Sequence, residues 1–439
     1  MKRSLIYTLA VASSLGAARA DLYYIPDEAQ ESLPLKWTAG VNVVWDDNVN
    51  PTAPAYLFVD TNADAVPDTL VPYAGHQDEA LSINPFVGVS FVSITPQTTW
   101  DVYARLGLIY YFDEPASAGS DDMYTQSRAG VNFTHRFSER LRFSSRNFIS
   151  YELEPDYAYG VATTRQLGEY LYWETDNSVG YRWTERFATY TGITLTGLNY
   201  DGDVNNQDRF TWAAYNQFRY QLTPQTVLTA EYKYAQTDGD DLASDYTDHY
   251  LLVGAEHRFS PNTIAIVNAG AQIHESDAVG ADNNVSPYLE VTARSQVNEQ
   301  FSIRGFARYS VEGYDTVRSL PSGLAAPANL ATYEFTDRQT FRLGISGEYT
   351  VSQMLSIFGG TDYIPASFGD GRLVAGPAGS PVASGDLDED IWNAYVGLSV
   401  KFTDILYGTV SYNYTNSNSD FPDQSYDRNR VSVGLHAEF

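Results

Sequence analysis

Cysteine is absent from all 439 residues, which excludes a disulfide framework and a thiolate metal site. The fold must therefore be held by hydrogen bonds and packing. Beyond residue 20 there is no run of eighteen apolar residues, which excludes a helical membrane protein. Basic residues are scarce, with 27 Lys and Arg against 55 Asp and Glu, giving a formal net charge of −28. Bulk charge thus argues against nucleic acid or an anionic lipid surface as a partner. Histidine is sparse as well. The six (His76, His135, His249, His257, His274, His436) stand apart, with no HExxH, no GxSxG and no Gly-rich phosphate loop, so no enzyme class is indicated.

What the chain does have begins at its ends. The opening MKRSLIYTLAVASSLGAARA carries Lys2 and Arg3, an apolar run, and a small-x-small end at Ala18-Arg19-Ala20. Those features read as a Sec signal peptide over residues 1–20 and an exported protein. Residues 21–34 show no period and read as a periplasmic lead-in. At the other end, Val431, Val433, Leu435, Ala437 and Phe439 alternate with Arg430, Ser432, Gly434, His436 and Glu438. Side chains in a strand switch faces at each residue, so this segment has one apolar and one polar face.

The same alternation recurs through the chain. Segments such as LKWTAGVNVVWDD (from Leu35) and WNAYVGLSVKF (Trp392 to Phe402) bring the count to about eighteen strands of ten to fifteen residues. Their connections alternate between two kinds. Tight turns fall at Thr95–Thr98, Ser138–Arg140, Thr184–Arg186, Thr223–Thr226, Ser260–Thr263, Asn298–Gln300, Ser352–Met354 and Thr403–Ile405, with longer acidic segments between them. Eight turns and nine loops make eighteen strands. The expected fold is all-β: one transmembrane antiparallel up-and-down barrel over residues 35–439, with short periplasmic turns and long acidic external loops. The mean hydropathy of −0.31 does not oppose this, because a polar lumen offsets an apolar exterior. A tyrosine count of 34 suits aromatic girdles at the two membrane interfaces.

The closing strand resembles that of Gram-negative outer-membrane β-barrels, whose terminal aromatic residue is read by the barrel-assembly machinery. That resemblance implies Phe439 as an assembly signal and the cell outer membrane, with its lipid and lipopolysaccharide, as the location. With the WDDNV end of its first strand (Trp45 to Val49), the chain resembles the loosely defined β-barrel porins of Gram-negative bacteria. The resemblance implies a channel.

Parity along each strand assigns the inner face. It places there Arg105, Arg142, Arg146, Arg182, Arg219, Arg294, Arg304, Arg308 and Arg342, with Glu290, Glu312 and Glu348 among the facing acids. The wall is then net basic although the chain is acidic. These charges either ring a pore and select ions, or pair across strands and stiffen the wall. Inward Tyr103, Tyr111, Tyr172, Tyr215, Tyr288, Tyr395 and Tyr407 either stack sugars or fill the lumen.

In the first long loop, DTNADAVPD resembles the calcium loops of thrombospondin-type and dockerin-like repeats. It would place a divalent cation on Asp60, Asn62, Asp64 and Asp68. Ala63 and Ala65 stand where such loops usually carry glycine, and a solvated acidic loop is the alternative. No other cofactor is expected. Eighteen strands leave an aqueous channel. The function expected is passive diffusion of small hydrophilic solutes, with anions preferred. The alternatives are an export barrel for an acidic exopolysaccharide and a structural or adhesive barrel with a blocked lumen.

Overall fold

The computed structural model describes residues 22, 29, 32–49, 56–59, 69–72, 79–113, 121–153, 169–201, 208–239, 245–278, 283–313, 317–321, 330–336, 338–369, 371–375, 387–421 and 425–439. The signal peptide, most of the lead-in and the calcium motif of the first loop lie outside them.

The strands are β1 (Leu33–Asp46), β2 (Tyr56–Val59), β3 (Thr69–Pro72), β4 (Ala80–Ile94), β5 (Thr98–Tyr111), β6 (Met123–Arg136), β7 (Leu141–Glu152) and β8 (Tyr170–Arg182). Then follow β9 (Phe187–Tyr200), β10 (Arg209–Thr223), β11 (Thr226–Gly239), β12 (Tyr246–Ser260), β13 (Thr263–Ser276), β14 (Asn284–Gln296), β15 (Phe301–Glu312) and β16 (Val317–Pro321). The last are β17 (Leu330–Glu334), β18 (Arg338–Thr350), β19 (Leu355–Phe368), β20 (Arg372–Ala375), β21 (Leu387–Lys401), β22 (Leu406–Ser419) and β23 (Tyr426–Glu438).

Eighteen of them form one antiparallel sheet in chain order, and β1 pairs with both β4 and β23, so the sheet closes on itself. Closure removes the free edge that would otherwise expose unpaired backbone groups. The other five strands lie in loops, as the hairpin β2–β3 and the small sheet β16–β17–β20.

Each expected strand coincides with a barrel strand, although several run longer. The alternation read from Leu289 to Ala293 belongs to the thirteen-residue β14, in which Pro287 stands opposite Ala271. The five loop strands were not anticipated, because segments of four or five residues are too short to show a period.

All eight tight turns share one device. Each opens on Ser, Thr or Asn, whose side-chain oxygen accepts a backbone N–H two or three residues on. Ser138 Oγ accepts from Leu141 at 3.0 Å, Asn298 Oδ1 from Gln300 at 2.8 Å, and Thr403 Oγ1 from Leu406 at 2.9 Å. Thr95, Thr184, Thr223, Ser260 and Ser352 do the same. These are the local side-chain bonds that make such residues good turn formers.

Two faces follow from the register. One carries exposed apolar side chains, among them Trp37, Leu106, Val253, Leu343, Val396 and Val433. The other carries the buried charged and polar ones, including Arg142, Glu256, Gln272 and Glu312. A closed sheet encloses only its inner face, so the polar set lines the lumen and the apolar set faces outward. A band of that kind is stable against lipid and not against water.

The seam between β1 and β23 is tied at both ends. Near the loops, Arg428 Nε donates to Asp46 at 3.0 Å, and the Asn429 N–H donates to Asp47 at 2.6 Å. Asn48 donates to the Asp427 carbonyl at 2.9 Å. The WDDNV segment is thus the lock of the barrel. Near the turns, Lys36 pairs with Glu438, and the backbones of Trp37 and Phe439 bond to each other in both directions.

Candidate functional site: the inner wall and its loop-side sheet

The inner wall is most densely packed at its loop end. There loop residues fold inward onto the strand ends and form apolar clusters beside buried ion pairs. Ala331 and Tyr333 of β17, with Phe335 just after it, pack on Ala366 and Phe368 of β19 and on Phe421. Phe335 lies 5.7 Å from Phe368 and 5.3 Å from Phe421, both in edge-to-face contact, and Phe335 and Phe368 are fully buried. Burying each phenylalanine contributes about 1.5–3 kcal/mol. Of the described loop residues, β16 and β17, between β15 and β18, and β20, between β19 and β21, form a single sheet at the loop end of the barrel, and Arg372 pairs with Glu334. A second cluster unites Val49, Ala80, Ile109, Tyr111, Tyr124 and Leu153, and a third unites Tyr170, Tyr172, Leu198 and Tyr200. At the turn end, Leu22 of the lead-in rests on inward Ala188 and Val227.

Beside the clusters the wall is charged, and Arg338 lies 5.5 Å over the Phe368 ring. Its most connected group is Glu312, the last residue of β15, which receives three arginines. Arg342 reaches it in bidentate fashion at 2.9 Å on each oxygen, Arg338 at 3.3 Å, and Arg308 at 3.2 Å. The Glu312, Arg338 and Arg342 side chains are buried, while Arg308 keeps 30% of its side-chain surface. Arg308 also stands opposite Glu290 on β14 and opposite Arg342 on β18. Next along the wall, Arg294 and Arg304 are direct partners in register, and Arg304 is exposed. Arg304 has no ion pair among the described residues. On the inner faces of β14, β15 and β18, Arg294, Arg304, Arg308, Arg338 and Arg342 therefore face only Glu290, Glu312 and Glu348.

Elsewhere pairing prevails. Arg146 is paired with Asp176, which also accepts from the Tyr215 hydroxyl at 2.9 Å. Arg219 pairs with Glu256 at 2.7 Å, Arg128 with Glu152 at 2.6 Å, and Arg258 approaches Glu256 at 3.7 Å. Arg142 is buried in register with Arg136 and Gly180. Arg182 Nε donates to the Thr184 carbonyl at 3.3 Å, Arg105 lies 3.8 Å over the Phe86 ring, and Glu348 stands opposite Ser302. Of the two roles open to the inward arginines, Arg342 takes the pairing one, through Glu312. Arg338, Arg428 and Asp46 carry buried ion pairs that parity alone had not singled out.

The inward tyrosines do not make one track. Tyr111 and Tyr172 belong to the loop-side clusters, and Tyr288 meets Tyr250 edge to face at 5.4 Å. Tyr407 stacks on His436 at 5.0 Å. Tyr103 and Tyr215 lie flat across Gly130 and Gly192, where an added Cβ would come within 2.4 Å of the ring. Such rings lie along the wall over the glycines.

Among the described residues no cluster of three or more His, Cys, Asp or Glu could hold a metal ion. His274 bonds buried Asp248 at 2.9 Å, while His135 and His257 point outward to Thr98 and Thr226.

A closed antiparallel barrel with a lipid-facing apolar band and a charged interior defines the class: an outer-membrane-type β-barrel. No protein-family model and no curated protein matches the sequence. Solved structures similar to it include Pseudomonas aeruginosa OccK1 (OpdK), at 12% identity over 92% of this chain and 99% of that one, with a TM-score of 0.45. Acinetobacter baumannii OccAB4 is similar at 14% identity over 93% and 99%, with a TM-score of 0.41. A BenF-like porin from Pseudomonas fluorescens Pf-5 is similar at 10% identity over 92% and 99%, with a TM-score of 0.43. No residue role is carried over from them.

Proposed function

We propose that the chain is an outer-membrane channel through which small hydrophilic solutes diffuse passively, with anions preferred. The observation that carries this is the excess of guanidinium over carboxylate on the inner faces of β14, β15 and β18, within an eighteen-stranded barrel. A barrel of that strand number encloses water, and charge on the wall of a lumen is screened less than charge on loops in bulk solvent. The surroundings proposed for it are outer-membrane lipid and lipopolysaccharide, reached through the barrel-assembly machinery.

The test is conductance in a planar bilayer under a salt gradient. The native channel is expected to show a reversal potential on the anion side. The double change Arg304→Ser, Arg308→Ser should move it toward cations without closing the pore. Two wall charges worth together about 1 kcal/mol in a water-filled lumen correspond to a roughly fivefold fall in the anion-to-cation permeability ratio. A cation-selective native channel unmoved by that change would show that the loops set selectivity. A protein that conducts nothing would instead be a structural barrel.

The acidic segment of the first loop is proposed to bind calcium in the millimolar range of extracellular modules, through Asp60, Asn62, Asp64 and Asp68. Calorimetric titration of the intact barrel should give uptake that the Asp64→Ala, Asp68→Ala variant loses. Equal uptake by both proteins would remove the site.

A further inference from the structure

One sector of the outward face is polar at mid-strand. Asn147 and Ser145 on β7, Thr175 and Asn177 on β8, Thr191 on β9 and Asn216 on β10 share the parity of Ile149, Val179, Ile193 and Phe218, which are 45–53% exposed. They form a ladder of hydrogen bonds. The Thr175 hydroxyl donates to Asn147 Oδ1 at 2.8 Å, Asn177 Nδ2 donates to Thr175 at 2.8 Å, and Asn147 Nδ2 donates to Ser145 at 3.0 Å. Asn216 Nδ2 donates to Thr191 at 2.6 Å. Elsewhere around the band the corresponding positions are apolar, as with Val41, Leu251, Ile345, Val396 and Val433. Thr361 on β19 is an exception, and it is satisfied on both sides by Trp392 and the Asn393 carbonyl.

The ladder is not satisfied in that way. Asn177 Oδ1 has no donor, and the Ser145 hydroxyl has no acceptor, among the described residues. Hydrocarbon supplies neither, and each group left unmet there costs several kcal/mol. Within a bilayer such groups are satisfied by another protein surface, as polar side chains are between membrane helices.

We propose that the β7–β10 face is where two copies of this chain meet. The patch carries no charge, and each asparagine both donates and accepts, so the surface is complementary to itself across a two-fold axis. Two copies inserted in the same direction place their patches at the same depth, with that axis along the membrane normal. Ile149, Val179, Ile193 and Phe218 supply the apolar packing around the polar centre.

Because the chain has no cysteine, single thiols report proximity cleanly. Ile193→Cys and Val179→Cys leave the ladder intact, while Val433→Cys lies on β23, away from this sector. Each full-length variant is treated with a short bismaleimide in outer-membrane vesicles. Ile193→Cys or Val179→Cys should give a band of twice the chain mass, and Val433→Cys none. Adding Asn147→Leu, Asn177→Leu and Asn216→Leu should reduce that band at least tenfold while the unboiled barrel keeps its compact gel mobility. The proposal is overturned by monomer at both patch positions, by equal crosslinking at Val433→Cys, by a product of another mass, or by a dimer that survives the three leucines in a barrel that remains folded.

Discussion

Replacing Glu312 with alanine is expected to lower the stability of the folded barrel by about 3–5 kcal/mol, the cost of leaving buried charges without their counter-charge. Arg338 and Arg342 are as buried as Glu312 itself, and its carboxylate is their shared partner. Their mutual repulsion would open the end of β15 and the start of β18, to which the β16–β17–β20 sheet is anchored. The measurement is the guanidinium midpoint of the barrel refolded in lipid vesicles, with the temperature at which the unboiled form converts on a gel as a second readout. Glu312→Gln keeps the shape and loses the charge, so it should fall nearly as far. The triple change Glu312→Leu, Arg338→Met, Arg342→Met removes the buried carboxylate with both buried arginines, and should recover much of the loss because apolar replacements of buried ion pairs are often neutral. An unchanged midpoint in Glu312→Ala would mean that the three arginines reach water, and that the cluster belongs to the open pore.

The strands were legible in the sequence because a membrane barrel has two dissimilar faces, and every residue from Trp392 to Phe402 declares which one it occupies. The turns were legible because their first residues are hydrogen-bonding side chains with no role in either face. Pairing across strands was not legible. Parity puts Glu312 and Arg342 on the inner wall, but Arg342 stands in register with Arg308, four residues from Glu312, and the stagger that lets it reach across depends on turn geometry. The Phe335, Phe368 and Phe421 cluster was hidden for another reason: it joins three separate loop regions, and no periodicity spans them. The polar sector on β7–β10 left a signal that parity could have found, since Asn147, Asn177 and Asn216 fall in the outward register.

Deleting Phe439 is expected to reduce the folded barrel in cells severalfold, and the geometry separates two reasons for it. The terminal residue occupies the same place as Phe137, Trp183, Phe259 and Phe402, each of which is exposed and outward just before a tight turn. It therefore completes an aromatic girdle at the turn end, and its ring, 65% exposed, packs little against its own barrel. Its backbone does more, since the Phe439 N–H donates to Trp37 at 2.9 Å and its carbonyl accepts from Trp37 at 2.7 Å, closing the seam. Phe439→Ala keeps that backbone and removes only the ring. If the ring is read during assembly, Phe439→Ala should lower the outer-membrane level nearly as much as the deletion, while urea-unfolded protein refolds into detergent about as well as the native chain. If the seam is what matters, Phe439→Ala should be near normal in both settings and the deletion should fail in both. Native levels of the deletion variant would show that Lys36–Glu438 and the remaining ladder of β1 and β23 close the barrel alone, and that its last residue is neither signal nor seal.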